Sequence, residues 1–111
     1  MEKLINQSQD KVLLNDLHRA EAFFSRLRGL MGKTITKDEG LLIRPCNSVH
    51  TFFMKMPIDV LFLNEDDVVI RKVSNMQQRR VSPIVRGAKY AIEGHPGVFD
   101  GVAVGDTLTV E

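Results

Sequence analysis

The chain has 111 residues, 43% of them apolar, with 15 Lys and Arg against 14 Asp and Glu, a formal net charge of +1. That length supports one core rather than two, and the apolar share excludes a disordered chain. The near-neutral charge excludes a global pull toward nucleic acid or membrane, and apolar runs as short as Val60 to Leu63 exclude a spanning helix.

The opening "MEKLINQSQDKVLLND" lacks the long apolar stretch of a secretory signal, so a cytoplasmic protein is expected. One cysteine, Cys46, leaves no internal disulfide. "EKLI" and "KVLL" read as two short strands around "NQSQD", whose Asn, Ser and Asp suit a turn. In the next segment Phe23, Phe24, Leu27, Leu30 and Met31 fall at helical spacing with Arg26 and Arg28 off the stripe. One packed helix is expected over residues 20–31, with Gly32 as its left-handed cap.

The remainder reads as strands. "GLLIRP" is short and apolar, and "SVHTFFMKM" and "IDVLFLN" flank Pro57. "IDVLFLN" and "VVIRKV" form a β-hairpin with Glu65 to Asp67 at its acidic tip. "RRVSPIVRG" is loop and short strand, "AKYAIE" a strand, "GHPG" a turn and "GDTLTVE" a closing strand. The fold class expected is mainly β (α+β): a small β-barrel or rolled, antiparallel-rich sheet with the one helix, in a single domain spanning residues 1–111.

Chemistry-bearing residues concentrate in "PCNSVHTFFMKMPIDVLFLN", Pro45 to Asn64. Cys46 and His50 could be a nucleophile and its base, but on a strand they would stand roughly 13 Å apart, at about 3.3 Å per residue. A small buried thiol is the commoner fate of such a cysteine. His50 and Thr51 point to opposite faces of an extended chain. Asp59 sits between Ile58 and Val60, and shares a strand face with Leu61 and Leu63. A carboxylate there needs pairing or hydrogen bonds. His18, Cys46, His50 and His95 lack the short CxxC or HxxxH spacings of a zinc set, so no metal is expected. Neither a phosphate-binding loop nor a dinucleotide fingerprint is present, so no cofactor is expected either.

Around these residues the chain resembles domain-of-unknown-function family 192, small bacterial and archaeal proteins. The likeness runs through "RLRGLMGK", "GLLIRPCNSVHTFFMKMPIDVLFLN" and "AIEGHPGVFDGVAVGDTLTV". It looks like the branch with "PCxSVHTxxM"; Phe53 stands where another branch carries tryptophan, and Asn64 where aspartate is commoner. The resemblance implies a compact β-rich fold, members that are often secreted or membrane-anchored, and no established activity. It adds emphasis on Gly29, Leu30, Met31, His50, Thr51, Met54 and Asp59.

The protein is expected to be a non-catalytic binding module whose cleft near "SVHTFFM" takes a small molecule or a protein segment. Met31, Met54 and Met56 with Phe52 and Phe53 would form its apolar walls, and Cys46, His50, Thr51 and Asp59 its polar groups. One alternative is a hydrolase or transferase with His50 or Asp59 as acid–base and Cys46 as nucleophile. Another is weak nucleic-acid binding through the basic residues 71–89, which the shortage of aromatics outside the core disfavours.

Overall fold

The computed structural model describes residues 2–20, 34–52 and 54–111. Seven strands appear in chain order: β1 (Glu2–Asn6), β2 (Lys11–Ala20), β3 (Glu39–Ile43), β4 (Ile58–Leu63), β5 (Val69–Met76), β6 (Tyr90–Gly94) and β7 (Leu108–Val110). They form one sheet in the order β5-β4-β6-β3-β2-β1-β7. Each pairing is antiparallel except β2 with β3, which run parallel. A parallel pair needs a crossover connection, and the chain between Ala20 and Glu39 supplies it. The sheet curls until its two edge strands meet at one end. There Val68 bridges Thr107, and Leu108 N–H donates to Asp67 O at 3.0 Å.

Curling creates two apolar layers. The inner layer holds Leu4, Leu14, Leu17, Leu42, Leu61, Leu63, Val69, Tyr90, Ile92, Phe99 and Leu108. The outer layer holds Leu41, Ile43, Ile58, Val60, Phe62, Met76 and Ala91 on the strands, covered by Val49 and Val85 from two loops. Strand β4 serves both, since Leu61 and Leu63 point inward and Ile58, Val60 and Phe62 outward. All six of its residues are buried, which is why "IDVLFL" reads as a near-continuous apolar run rather than an alternating one.

The β4–β5 hairpin forms around the expected acidic tip. The Asn64 side-chain oxygen accepts from Asp66 N–H at 2.9 Å and Val68 N–H at 3.0 Å, an Asx turn that lets Asp67 adopt φ 63°. At the far end of the inner layer Phe99 is fully buried over Gly94. A Cβ on Gly94 would stand 2.8 Å from the Phe99 ring, so only glycine admits this plug.

Two expectations change. Strand β2 runs ten residues, through "DLHRA" to Ala20, because its far half pairs with β3. The helix expected over residues 20–31 otherwise lies outside the described residues, and every regular element among those described is a strand. "SVHTFFMKM" is not a strand of the sheet. His50 makes an isolated bridge to Val81, and Met54 N–H turns back to Thr51 O at 3.2 Å. Loop partners rather than a ladder satisfy this backbone: Ser82 N–H donates to Val49 O and Val85 N–H to Asn47 O, both at 2.8 Å.

Phe62→Ala should cost about 3–5 kcal/mol through lost burial and the cavity left behind. Chemical denaturation measures it, and a loss below about 1 kcal/mol would mean that the outer layer is not packed.

Candidate functional site

The two loops that cover the outer layer also build a cleft. One runs from Arg44 to Pro57 and the other from Gln77 to Lys89; between them Phe52, Met54, Gln78 and Arg79 line an open cavity of about 500 Å³. The Phe52 side chain is 41% exposed at its edge, and Val81 and Ile84 stand exposed on the second loop. The His50 ring lies against Phe52, centroids 5.7 Å apart and planes tilted by 42°, and among the described residues it makes no hydrogen bond. The cleft thus presents two aromatic rings, a thioether and a guanidinium.

Thr51 holds this cleft in shape. It is fully buried, and its hydroxyl donates to Gln77 O at 2.6 Å while accepting from Arg80 N–H at 2.9 Å. Its backbone adds Thr51 N–H to Arg80 O at 2.8 Å and Arg79 N–H to Thr51 O at 3.2 Å. One residue therefore anchors the chain on both sides of Arg79, which takes the left-handed φ of 61°. A non-glycine residue pays a steric cost there and keeps the conformation only where its surroundings impose it.

Asp59 fastens the other end of the same segment. Its carboxylate is 2% exposed and accepts from Asn75 N–H at 2.6 Å and Gly97 N–H at 2.9 Å. Asn75 is also left-handed, with φ 51°. Asp59 points to the inner face and does not line the cleft. Cys46 packs against the outer layer, and its thiol donates to Ser48 O at 3.2 Å. Met31 and Phe53 lie outside the described residues. Of the residues singled out from sequence, Met54 lines the cleft, His50 borders it, Thr51 and Asp59 support it from below, and Cys46 sits behind it.

Sequence reasoning missed Glu93. It is 5% exposed on β6, directly between Val60 of β4 and Leu41 of β3 on the outer face, with no hydrogen bond or ion pair among the described residues. Burial pushes its pKa up to about 7. Asp59 and Glu93 are therefore not a catalytic pair: the register places them on opposite faces of the sheet. The signal available was the same one that marked Asp59, an acid inside an apolar strand, but "YAIEG" allowed Glu93 to pass for a strand end.

Three other side chains could hold a cation. The parallel register sets Asp16 opposite Glu39, and His18 two residues along the same strand, with ligand atoms of all three within 4.8 Å of one another. His18 Nε2 is 3.3 Å from Asp16 Oδ2, and Glu39 accepts from Thr36 N–H at 3.1 Å. The Thr36 bond, with a smaller contribution from His18, holds the Glu39 carboxyl below its ordinary pKa. These partners already satisfy the trio without an ion.

A family model matches residues 4–110. The chain belongs to the DUF192 family, described as Uncharacterized ACR. A UPF0127 protein of Thermococcus sibiricus is 35% identical over 115 residues, 97% of this chain and 74% of that protein. Another UPF0127 protein, from Pyrococcus furiosus, is 32% identical over 95% of each chain. Among solved structures, a protein of unknown function from Novosphingobium aromaticivorans superposes with a TM-score of 0.83 at 19% identity, over 97% of this chain and 82% of that one. One from Sinorhizobium meliloti, named as a candidate transcription regulator, gives 0.83 at 22%, over 98% and 91%. Both likenesses establish this DUF192 member's fold. Among the described residues no helix is long and apolar enough to cross a membrane.

Thr51→Val keeps the side chain's shape but orphans Gln77 O and Arg80 N–H. It should cost about 1–3 kcal/mol in urea denaturation and speed amide exchange at Arg80. Unchanged stability and exchange would remove Thr51 as the anchor.

Glu93 also makes stability depend on pH. Its folded pKa of about 7 lies above the ordinary glutamate value of 4.5, so between the two the folded state holds a proton that the unfolded state has lost. The stabilisation is complete below the lower value and lost as pH rises through the upper, a change on the order of 3 kcal/mol. Glu93→Gln should flatten the profile between about pH 5 and pH 8, and an unaltered slope would show that Glu93 is not the titrating group.

Proposed function

We propose that this DUF192 protein is a non-catalytic binding module, and that the Phe52–Met54–Gln78–Arg79 cleft takes an apolar group carrying negative charge, on a small molecule or a protein segment. The observation that carries the reading is the clamped segment from Asn75 to Arg80. Two buried polar side chains, Thr51 and Asp59, hold two left-handed residues, so Arg79 is aimed before any ligand arrives. Preorganisation of this kind lowers the ordering cost of binding. Met54 and Phe52 supply adaptable apolar area, and the exposed His50 ring extends it.

Geometry favours this over a hydrolase or transferase. Asp59 spends both oxygens on backbone amides, Cys46 donates its thiol proton to a carbonyl, and His50 has no hydrogen-bond partner among the described residues to orient it. A nucleophile–base pair needs mutual hydrogen-bond reach and an orienting third group.

An anionic naphthalene dye, anilinonaphthalene sulfonate, is a suitable probe because it pairs an apolar body with a negative charge. Native protein should enhance its fluorescence. Phe52→Ser should weaken the dye's affinity about fivefold, equivalent to about 1 kcal/mol, with the thermal midpoint unchanged. Binding indifferent to both Phe52→Ser and Arg79→Gln would overturn the reading.

A further inference from the structure

The two ends of the curled sheet are finished differently. On the inner face one cross-strand row runs Asp59, Gly94, Gly40, Leu17; Phe99 fills the space over Gly94 and Leu14 the space over Gly40. The next row runs Leu61, Ile92, Leu42, Arg19, and the row beyond begins Leu63, Tyr90. Apolar side chains thus give way to Arg19, Tyr90 and Arg44 at the opposite mouth. No side chain comparable to Phe99 closes it among the described residues, and a cavity of about 220 Å³ remains. Leu4, Leu42, Leu108 and Val110 form its apolar lining.

Arg44 is the group whose hydrogen-bonding capacity is unused among the described residues. Its guanidinium lies 4.1 Å above the centroid of the Tyr90 ring, a cation–π contact that fixes its plane. Tyr90 is itself fixed, donating its hydroxyl to Asp67 Oδ1 at 2.7 Å. No acceptor among the described residues meets the Arg44 N–H groups. The other charges at the mouth already have partners, since Arg19 binds the Glu2 carboxylate and Asp67 accepts from Tyr90.

From this arrangement we infer a second binding site, distinct from the loop cleft: the open mouth of the barrel takes a small carboxylate with a compact apolar body. The planar guanidinium fork matches a carboxylate through two parallel hydrogen bonds, and its stacking on Tyr90 preserves that orientation. The apolar body enters among Leu4, Leu42, Leu108 and Val110. Barrel mouths are common ligand sites, and the volume here, below the usual range, selects a small ligand.

Benzoate tests the site, with benzyl alcohol as the uncharged comparison, by NMR titration of the full chain. Benzoate at about 10 mM should shift the methyl signals of Leu42, Leu108 and Val110 and the side-chain Nε–H of Arg44, with a dissociation constant in the millimolar range or below. Benzyl alcohol should bind at least about tenfold more weakly, and Arg44→Gln should weaken benzoate to a similar degree while leaving dye binding at Phe52 intact. Arg44→Lys, which keeps charge but loses the fork, should fall between. The inference is overturned by no benzoate shifts, by equal binding of the alcohol, by indifference to Arg44→Gln, or by shifts confined to Met54 and Arg79.

Discussion

Strand β4 must be buried on both of its faces, and the architecture follows from meeting that requirement twice. Leu61 and Leu63 are covered when the sheet curls on itself, a solution internal to the sheet. Ile58, Val60 and Phe62 face outward, where no second sheet stacks among the described residues, so loops must cover them. Loops in that position carry many backbone polar groups into a dry environment. They manage it by pairing with each other, Asn47 to Thr51 against Arg80 to Val85, and by enlisting the Ser48, Thr51 and Ser82 hydroxyls. The cleft is the by-product: where the two covering loops part beyond Thr51, Phe52 and Arg79 are left facing each other across a gap.

Two acids in adjacent strands show how finely environment separates like groups. Asp59 and Glu93 are neighbours across the β4–β6 ladder, offset by one residue, and that single residue puts them on opposite faces. Asp59 meets two backbone N–H groups and serves as a structural acceptor. Glu93 has Leu41 and Val60 as its cross-strand neighbours and no hydrogen-bond partner among the described residues, and it retains its proton to about neutral pH. Desolvation without a compensating donor is costly enough that the group neutralises instead. The period-two geometry of a strand is thus enough to give one carboxyl an anchoring role and leave the other protonated.

The two candidate binding places differ in the same physical way. The loop cleft is preorganised by buried hydroxyl and carboxylate bonds to backbone, so its shape belongs to the covering layer. The barrel mouth is preorganised by aromatic stacking, so its shape belongs to the sheet. A change at Thr51 should leave the mouth intact, because Arg44 follows β3 directly, at the root of its loop, and Tyr90 is held by β6 and the Asx turn at Asn64.

From sequence alone the β-rich class, the hairpin with Glu65 to Asp67 at its tip and the oddity of Asp59 could be read, because each rests on local pattern: alternating or continuous apolar runs, an acidic break between two of them, an acid among aliphatics. Family membership was legible in the same stretch. "SVHTFFMKM" misled because aromatic and β-branched composition fits a covering loop as well as it fits a strand, and the partner that decides between them, residues 77–85, is distant in the chain. Glu93 and Arg44 were invisible as special residues for the same reason. An acid at a strand end and an arginine before a proline are ordinary locally; only the β3–β6–β4 register buries the first, and only the curl of the sheet sets the second over Tyr90. Local pattern determined the elements, and long-range pairing decided which of their side chains were left without partners.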